Sequence, residues 1–340
     1  MHTKRDSRAG PQADHEAWDA AARQIVGSSA LHAQLLGQLR CIATSDAPAL
    51  IEGETGSGKE VAARAIHYGG LRRAGPFVPV NCGALPEGLI ESELFGVERG
   101  AYTDARQSRR GLVAEASGGT LFLDEVDALS PRAQVTLLRF LQDQRYRPVG
   151  TAQDLRTDAR VLAATNQPLD GLVLRREFRS DLMYRLKILH VVLAPLRQRG
   201  ADVELLAQHF MAQLQLRYGG SQRLLDPQTL PWLRQHAWPG NVRELENWIH
   251  RRFLMSSGST ITHEDALPVA DLAGPADASG PVQCFQHAKA EAVQRFERDY
   301  LQRVLLQARG NVTRAAGLAG KERRAFGKLL KKHGIERLSA

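Results

Sequence analysis

The stretch ALIEGETGSGKEVAARAIHY, residues 49–68, leaves little freedom in how the chain around it folds. ALIE reads as a short buried strand and EVAARAIHY as a helix. Between them Gly53, Glu54, Thr55, Gly56, Ser57, Gly58 and Lys59 match G-x-x-x-x-G-K, the spacing of a phosphate-binding loop. Glycines at 53, 56 and 58 let the backbone turn so that its N–H groups aim inward at phosphate oxygens. The helix N-terminus adds its dipole, and Lys59 supplies a point charge for the β- and γ-phosphates. The eighth position is Glu60, where the general motif places a Ser or Thr hydroxyl for magnesium.

The surroundings suit such a loop. APALIEG (47–53), FVPVNC (77–82), GTLFLDE (119–125), ARVLAATN (159–166) and LKILHVVL (186–193) are short apolar runs separated by helical patterns. That alternation predicts a parallel sheet covered by helices on both faces. The strand GTLFLDE delivers Asp124 and Glu125 to its C-terminal end, where open parallel sheets bind ligands. Asp124 can hold magnesium through water, and Glu125 can orient and deprotonate an attacking water. A further strand ends in Thr165 and Asn166, polar groups placed to sense a γ-phosphate.

Five segments are expected. Residues 1–24 are polar and Ala-rich and read as a flexible tail with a short helix around Trp18. Residues 25–198 carry the α/β pattern, and 199–268 read as a helical lid only, with Asp226 and Asn241 as helix N-caps and Pro227 at a first helical position. Residues 269–284 are small and Pro/Gly-rich, the composition of a linker. Residues 285–340 form a last helical module. It holds 13 Lys and Arg against 5 Asp and Glu, whereas the other 32 basic and 32 acidic residues cancel, so this module carries the entire net charge of +8. A small basic module points to a polyanion, most simply DNA. No run of about 18 apolar residues and no apolar signal region occur. Cys41, Cys82 and Cys284 match no metal-ligand spacing, so reduced thiols, a cytoplasmic location and no membrane contact are expected.

GETGSGKE, NCGAL, ESELFGVERGAYTDA, GGTLFLDEVDAL, ATNQPL, FRSDLMYRL and WPGNVREL stand in the order found in bacterial enhancer-binding proteins, the AAA+ activators of sigma-54 RNA polymerase. The chain resembles that family over residues 25–262, and a Fis-type helix-turn-helix resumes the resemblance at 285–337. The resemblance implies an α/β AAA+ P-loop sheet with a helical lid, ATP and Mg2+ as cofactors, and a dimer-to-hexamer ring as the assembly. It implies that Asn81 restrains Glu125 until the nucleotide is right. Arg179 and Arg185 would be arginine fingers reaching a neighbouring subunit, and Arg243 the lid's own sensor. Glu60 also matches the family at its position. In the C-terminal module, Asn311 would cap a first helix, and Arg314, Lys321, Arg323, Arg324 and Lys328 would meet DNA at a palindromic upstream site.

Gly100, Ala101, Tyr102, Thr103, Asp104 and Ala105 match the sigma-contacting tip, usually Gly-Ala-Phe-Thr-Gly-Ala in that family. Tyr102 keeps a flat ring, and Thr103 is unchanged. Asp104 replaces a glycine, restricts the backbone and adds a negative charge beside the contact. Two readings follow: an ATP-driven activator of sigma-54 polymerase, or a DNA-binding regulator of the same ancestry that no longer activates it. A non-transcriptional AAA+ motor is disfavoured by the basic C-terminal module. Residues 1–24 are too few to bury a core, so control is expected from expression level, from a regulatory protein acting in trans, or from a partner subunit.

Overall fold

The computed structural model describes residues 11–86, 88–101, 107–219, 222–256, 258–263, 301, 304–305, 308, 311–321 and 323–333. Five parallel strands form the central sheet: β1 (Ala49–Glu52), β2 (Phe77–Asn81), β3 (Thr120–Asp124), β4 (Arg160–Thr165) and β5 (Leu189–Val192), in the order β2-β3-β4-β1-β5. Every apolar run expected to be a strand is one of these five. Their register sets Asn81 beside Asp124 and Glu52 beside Thr165. The C-terminal ends of β1 to β4 therefore share one edge of the sheet.

Successive residues of a strand face opposite sides, and both sides here are buried. One face, including Leu50, Leu121, Leu123 and Ala163, packs on α4 (Ile90–Phe95), α5 (Pro131–Asp143), α6 (Leu169–Leu174) and α7 (Ser180–Leu186). The other, including Ile51, Phe122, Leu162 and Ala164, packs on α2 (Ala30–Ala43) and α3 (Lys59–Tyr68). Burial on both faces explains why the strands read as continuous apolar runs rather than alternating ones.

The helix expected around Trp18 is present, but it is docked on the sheet's helices rather than part of a flexible tail. Residues 11–22 form helix α1 (Pro11–Ala22), which packs on α3. Trp18 is buried in the same apolar cluster as Leu39 and Ile66. It lies over Gly69, where any side chain would collide with its ring. Arg73 pairs with Asp14 at 2.8 Å, and Arg40 contacts His15. One large aromatic at a glycine-floored notch suffices to dock a polar, Ala-rich helix, and composition alone does not register it.

The lid is built from α8 (Asp202–Tyr218), α9 (Thr229–Gln235) and α10 (Asn241–Met255) around Leu206, Met211, Leu233, Trp238, Leu245, Ile249 and Phe253. It is not wholly helical. Leu224–Leu225 and Thr260–Ile261 pair as a short parallel ladder, with Ile261 buried in the lid core. Helix α9 begins at Thr229 rather than at Pro227. Asp226 instead accepts the Gln228 N–H at 2.8 Å, forming a turn before the helix. Among the described residues, no helix is long and apolar enough to cross a membrane.

Contacts divide the chain into Met1–Ala266 and Leu267–Ala340. In the second unit, α11 (Val312–Leu318) and α12 (Arg323–Lys332) pack through Ala315, Ala316, Phe326 and Leu330. Asn311 caps α11, its Oδ1 accepting from Thr313 N and Arg314 N at 3.0 and 3.1 Å. Gly320, at φ 60°, turns the chain between the two helices. The expected linker 269–284 lies outside the described residues.

Replacing Trp18 by Ala should weaken the docking of α1 by about 3 kcal/mol. The expected readout is loss of amide protection over residues 14–22 with protection of β3 unchanged. Retained protection of α1 would show that Trp18 is not its anchor.

Candidate functional site

The phosphate loop leaves β1 at Gly53, whose N–H donates to Thr165 O across the sheet at 3.2 Å. Gly56 and Gly58 have φ of 76° and 99°, conformations that L side chains rarely adopt. A loop that aims its N–H groups inward must turn its carbonyls outward, and outward carbonyls need donors. The lid and the segment leading to it provide them. Asn241 Nδ2 donates to Thr55 O at 3.1 Å, Val242 N to Gly56 O at 3.0 Å, and Arg199 Nη2 to Ser57 O at 3.0 Å. Gly56 lies so close to Gly240 O that a Cβ there would collide with it.

Glu54 is held by Arg197 through two bonds of 2.6 and 2.8 Å, and by Asn241 Nδ2 at 3.1 Å. The Arg197 bonds, then the Asn241 bond, lower its pKa from 4.5 to about 2. A depressed carboxylate stabilises the fold above its unfolded pKa and loses that contribution as pH falls through the folded value. This pair is therefore intact throughout neutral and mildly acidic conditions. Asn241 differs from its expected role as an N-cap. It is the first residue of α10, fully buried, with φ of 52°. Its side chain bonds the phosphate loop rather than its own helix.

Lys59 is buried, and its Nζ donates to Gly53 O at 2.7 Å and Glu54 O at 3.2 Å. Burial lowers its pKa, and the carboxylates of Asp124, Asp127 and Glu125 act against that. Arg243 is the basic neighbour in this set, and its N–H lies 3.4 Å from Gly56 O. Lys59 and Arg243 thus both bond the phosphate loop, and the carboxylates at the end of β3 act electrostatically on the Lys59 amine. Glu60 does not join them. It turns outward to Arg64 at 2.7 Å on the exposed face of α3.

Glu125 has φ 53° and ψ 46°, a left-handed conformation for a non-glycine residue. Asp124 Oδ1 accepts the Glu125 N–H at 3.0 Å. The Glu125 carboxylate lies against Gly83, where any Cβ would meet it, and the same point is 3.4 Å from Asn81 Oδ1. Asn81 and Glu125 thus flank Gly83, while Asn81 Oδ1 accepts the Ala84 N–H at 2.9 Å. Burial first, and then the nearby carboxylates of Asp124, Asp127 and Glu125, push the Cys82 thiol up to about 12.

Sequence reasoning missed Asp127. Its carboxylate accepts Thr165 Oγ1–H at 2.7 Å and Gln167 Nε2–H at 3.0 Å. It thereby fixes the polar end of β4, while Asn166 itself is exposed. Its only sequence signal was an acid three residues after Asp124. Arg179 sits at the start of α7 and pairs with Asp181 at 2.7 Å. Arg185 Nε donates to Leu141 O at 3.3 Å. Neither is hydrogen-bonded or ion-paired to the phosphate loop of its own chain.

The residues fit a nucleotide phosphate. The Ser57 hydroxyl is buried with no partner in the protein, and open space surrounds the position a Cβ would take at Gly58. Among the described residues, no cluster of three or more His, Cys, Asp or Glu could cage a metal alone.

Of the expected sigma-contacting tip, Gly100 has φ 83° and Ala101 N donates to Glu98 O at 3.1 Å. Tyr102, Thr103, Asp104 and Ala105 lie outside the described residues. Their stem is a ladder of Gly96–Val97 with Arg109–Arg110, bridged from Val97 to Val149. In the C-terminal unit, Arg314, Lys321, Arg323, Arg324 and Lys328 are all exposed.

Comparison with known proteins agrees with this geometry. Residues 25–192 match the Sigma-54 interaction domain, and 197–279 the AAA+ ATPase lid domain. The regulatory protein AtoC of Escherichia coli is 43% identical over 298 residues, 87% of this chain and 64% of AtoC. The transcriptional regulatory protein GlrR of Escherichia coli is 41% identical over 324 residues, 95% of this chain and 70% of GlrR. The chain belongs to the sigma-54-dependent regulator family of AAA+ ATPases. It spans a little under two thirds of AtoC and somewhat more of GlrR. The crystal structure of NtrX from Brucella abortus in complex with ATP matches with a TM-score of 0.66 and 34% identity, covering 95% of this chain and 73% of NtrX.

Asp127→Ala frees both ends of its clasp. Loss of two hydrogen bonds of about 1 kcal/mol each should lower the ATPase kcat roughly tenfold, with little change in KM. An unchanged kcat would show that the end of β4 holds its place without Asp127.

Proposed function

We propose that this chain is an ATP-hydrolysing transcriptional regulator that remodels sigma-54 RNA polymerase and binds DNA through its C-terminal helices. The observation that carries the reading is the built phosphate loop: Lys59 Nζ lies on Gly53 O and Glu54 O, the lid bonds the loop carbonyls of Thr55 and Gly56, and the strand ending in Asp124 lies in the same parallel sheet as the strand that leads into the loop. In this reading the loop N–H groups and Lys59 bind the β- and γ-phosphates. Asp124 holds magnesium through water, and magnesium, when bound, offsets charge on the phosphate oxygens. Glu125 orients a water and takes its proton as the water oxygen attacks the γ-phosphorus. The bond from phosphorus to the ADP oxygen breaks, and ADP and phosphate leave. Asn81, across Gly83, restrains Glu125 between turnovers.

Arg179 and Arg185 act on a neighbour's γ-phosphate, so the active form is a ring. Support comes from their separation from their own loop, and from large apolar side chains exposed beside them. Leu174 is 86% exposed and Tyr184 71% exposed. Such side chains suit a face covered by another subunit. For DNA, the exposed Arg323, Arg324 and Lys328 on α12 supply the positive surface that a major-groove helix needs. A dimer would then meet a palindromic site.

A second reading, DNA binding without sigma-54 activation, is favoured by Asp104 in place of the usual glycine. Transcription from a sigma-54 promoter, with purified chain, polymerase and ATP, separates the two. Open complexes with the wild type support the first reading. ATP hydrolysis without them supports the second.

Glu125→Gln should lower the ATPase kcat by about 10²- to 10⁴-fold while retaining ATP binding. Hydrolysis at the wild-type rate would remove Glu125 from the chemistry. Asp104→Gly should raise sigma-54 activation or leave it unchanged, and a collapse would show a matched partner for Asp104. Lys328→Ala should weaken DNA binding evenly across sequences and reduce the salt slope by about 1. A loss confined to one sequence would make Lys328 a base-reading residue.

A further inference from the structure

Four consecutive residues of the phosphate loop, Glu54 to Ser57, are bonded from outside by the lid or the segment entering it. These bonds are unequal. Glu54 and Arg197 keep 41% and 43% of their side chains exposed, so water competes for each partner. Asn241 is fully buried, and all its bonds are made inside the protein. Its Nδ2 donates to Thr55 O and Glu54 Oε2, while its Oδ1 accepts the Leu196 N–H at 2.8 Å. One amide therefore ties the loop, the lid entry at Leu196 and the start of α10 together. Removing it strands the buried Leu196 N–H, whereas removing Arg197 returns Glu54 to water.

We infer that Asn241 is a positioning residue that holds the phosphate loop in its phosphate-binding shape from the lid side, and so sets nucleotide affinity. Arg197 and Glu54 form an outer, exchangeable contact of the same clasp. The inference rests on the nucleotide-binding reading above. Asn also suits the backbone here, because it accepts the left-handed φ of 52° better than most residues.

The test is ADP affinity, measured by titration calorimetry with magnesium on the full chain. Wild type is measured first; if it does not bind ADP, the nucleotide-binding reading itself fails. Asn241→Gly keeps the backbone conformation and removes the side-chain bonds. Asn241→Asp keeps the shape and the Leu196 acceptor but cannot donate, and it places a carboxylate beside Glu54. Both should raise the ADP Kd about tenfold or more. In the double variant Asn241→Asp with Glu54→Gln, a Gln amide can donate to the Asp carboxylate. That should recover most of the loss, a rescue that a general loss of stability would not give. Arg197→Ala should change Kd by less than about threefold. The inference is overturned by unchanged ADP affinity in Asn241→Gly, by a double variant no tighter than Asn241→Asp, or by an equal loss at Arg197→Ala.

Discussion

The structure turns on the phosphate loop's division of its backbone. N–H groups face the ligand side, so carbonyls face the rest of the protein and must find donors there. In a smaller protein such donors would come from the strand–helix unit itself. Here they come from residues about 140 to 190 positions away in sequence, at Arg199, Asn241 and Val242. The lid is therefore a structural part of the loop as well as a cover for the site. The same closeness brings Arg243 to the loop, because it follows the two residues that bond it, and its own N–H lies 3.4 Å from Gly56 O.

The second constraint is the common edge of the sheet. Parallel register sets Asn81 beside Asp124 and Glu52 beside Thr165, so four strand ends deliver their polar groups to one place. Asp127 then joins the acidic turn to the end of β4 through Thr165 and Gln167. The site is held by the sheet below, by the lid outside and by this clasp across the strand ends.

Much of this was legible in the chain alone. Apolar runs ending in polar residues located all five strands, because burial on both faces leaves little else they could be. Lys59, Asp124 and Glu125 were expected from motif and context and Arg243 from the family resemblance, and both Lys59 and Arg243 bond the same loop. What escaped was decided by single long-range contacts. Trp18 turned a polar segment into a docked helix through one notch over Gly69. Asp226 and Asn241 look like helix caps by local rules. The first makes a turn before its helix, and the second bonds a loop 186 residues earlier in the chain. Two-residue ladders such as Leu224–Leu225 with Thr260–Ile261 are too short for any periodicity to show. Glu60 departs from the general motif and matches the family at its position, yet Arg64 four residues on takes it as a partner along the helix.

Two residues of the site share a backbone conformation that also occurs at Gln144, Arg176 and Trp238. Glu125 and Asn241 are both non-glycine residues in left-handed conformations, with φ of 53° and 52°. Such a residue costs of order 1–3 kcal/mol and persists only where its surroundings over-determine it. At Glu125 the holding contact is Asp124 Oδ1 on its N–H, with Gly83 leaving room for its carboxylate. At Asn241 it is the set of bonds to Leu196, Glu54 and Thr55. In both cases the contact that offsets the strain is also the one that aims the side chain. The Glu125 carboxylate against Gly83 and the Asn241 amide on the phosphate loop are thus fixed by the same means. A glycine at either position would ease the backbone and remove the group for which the conformation is held.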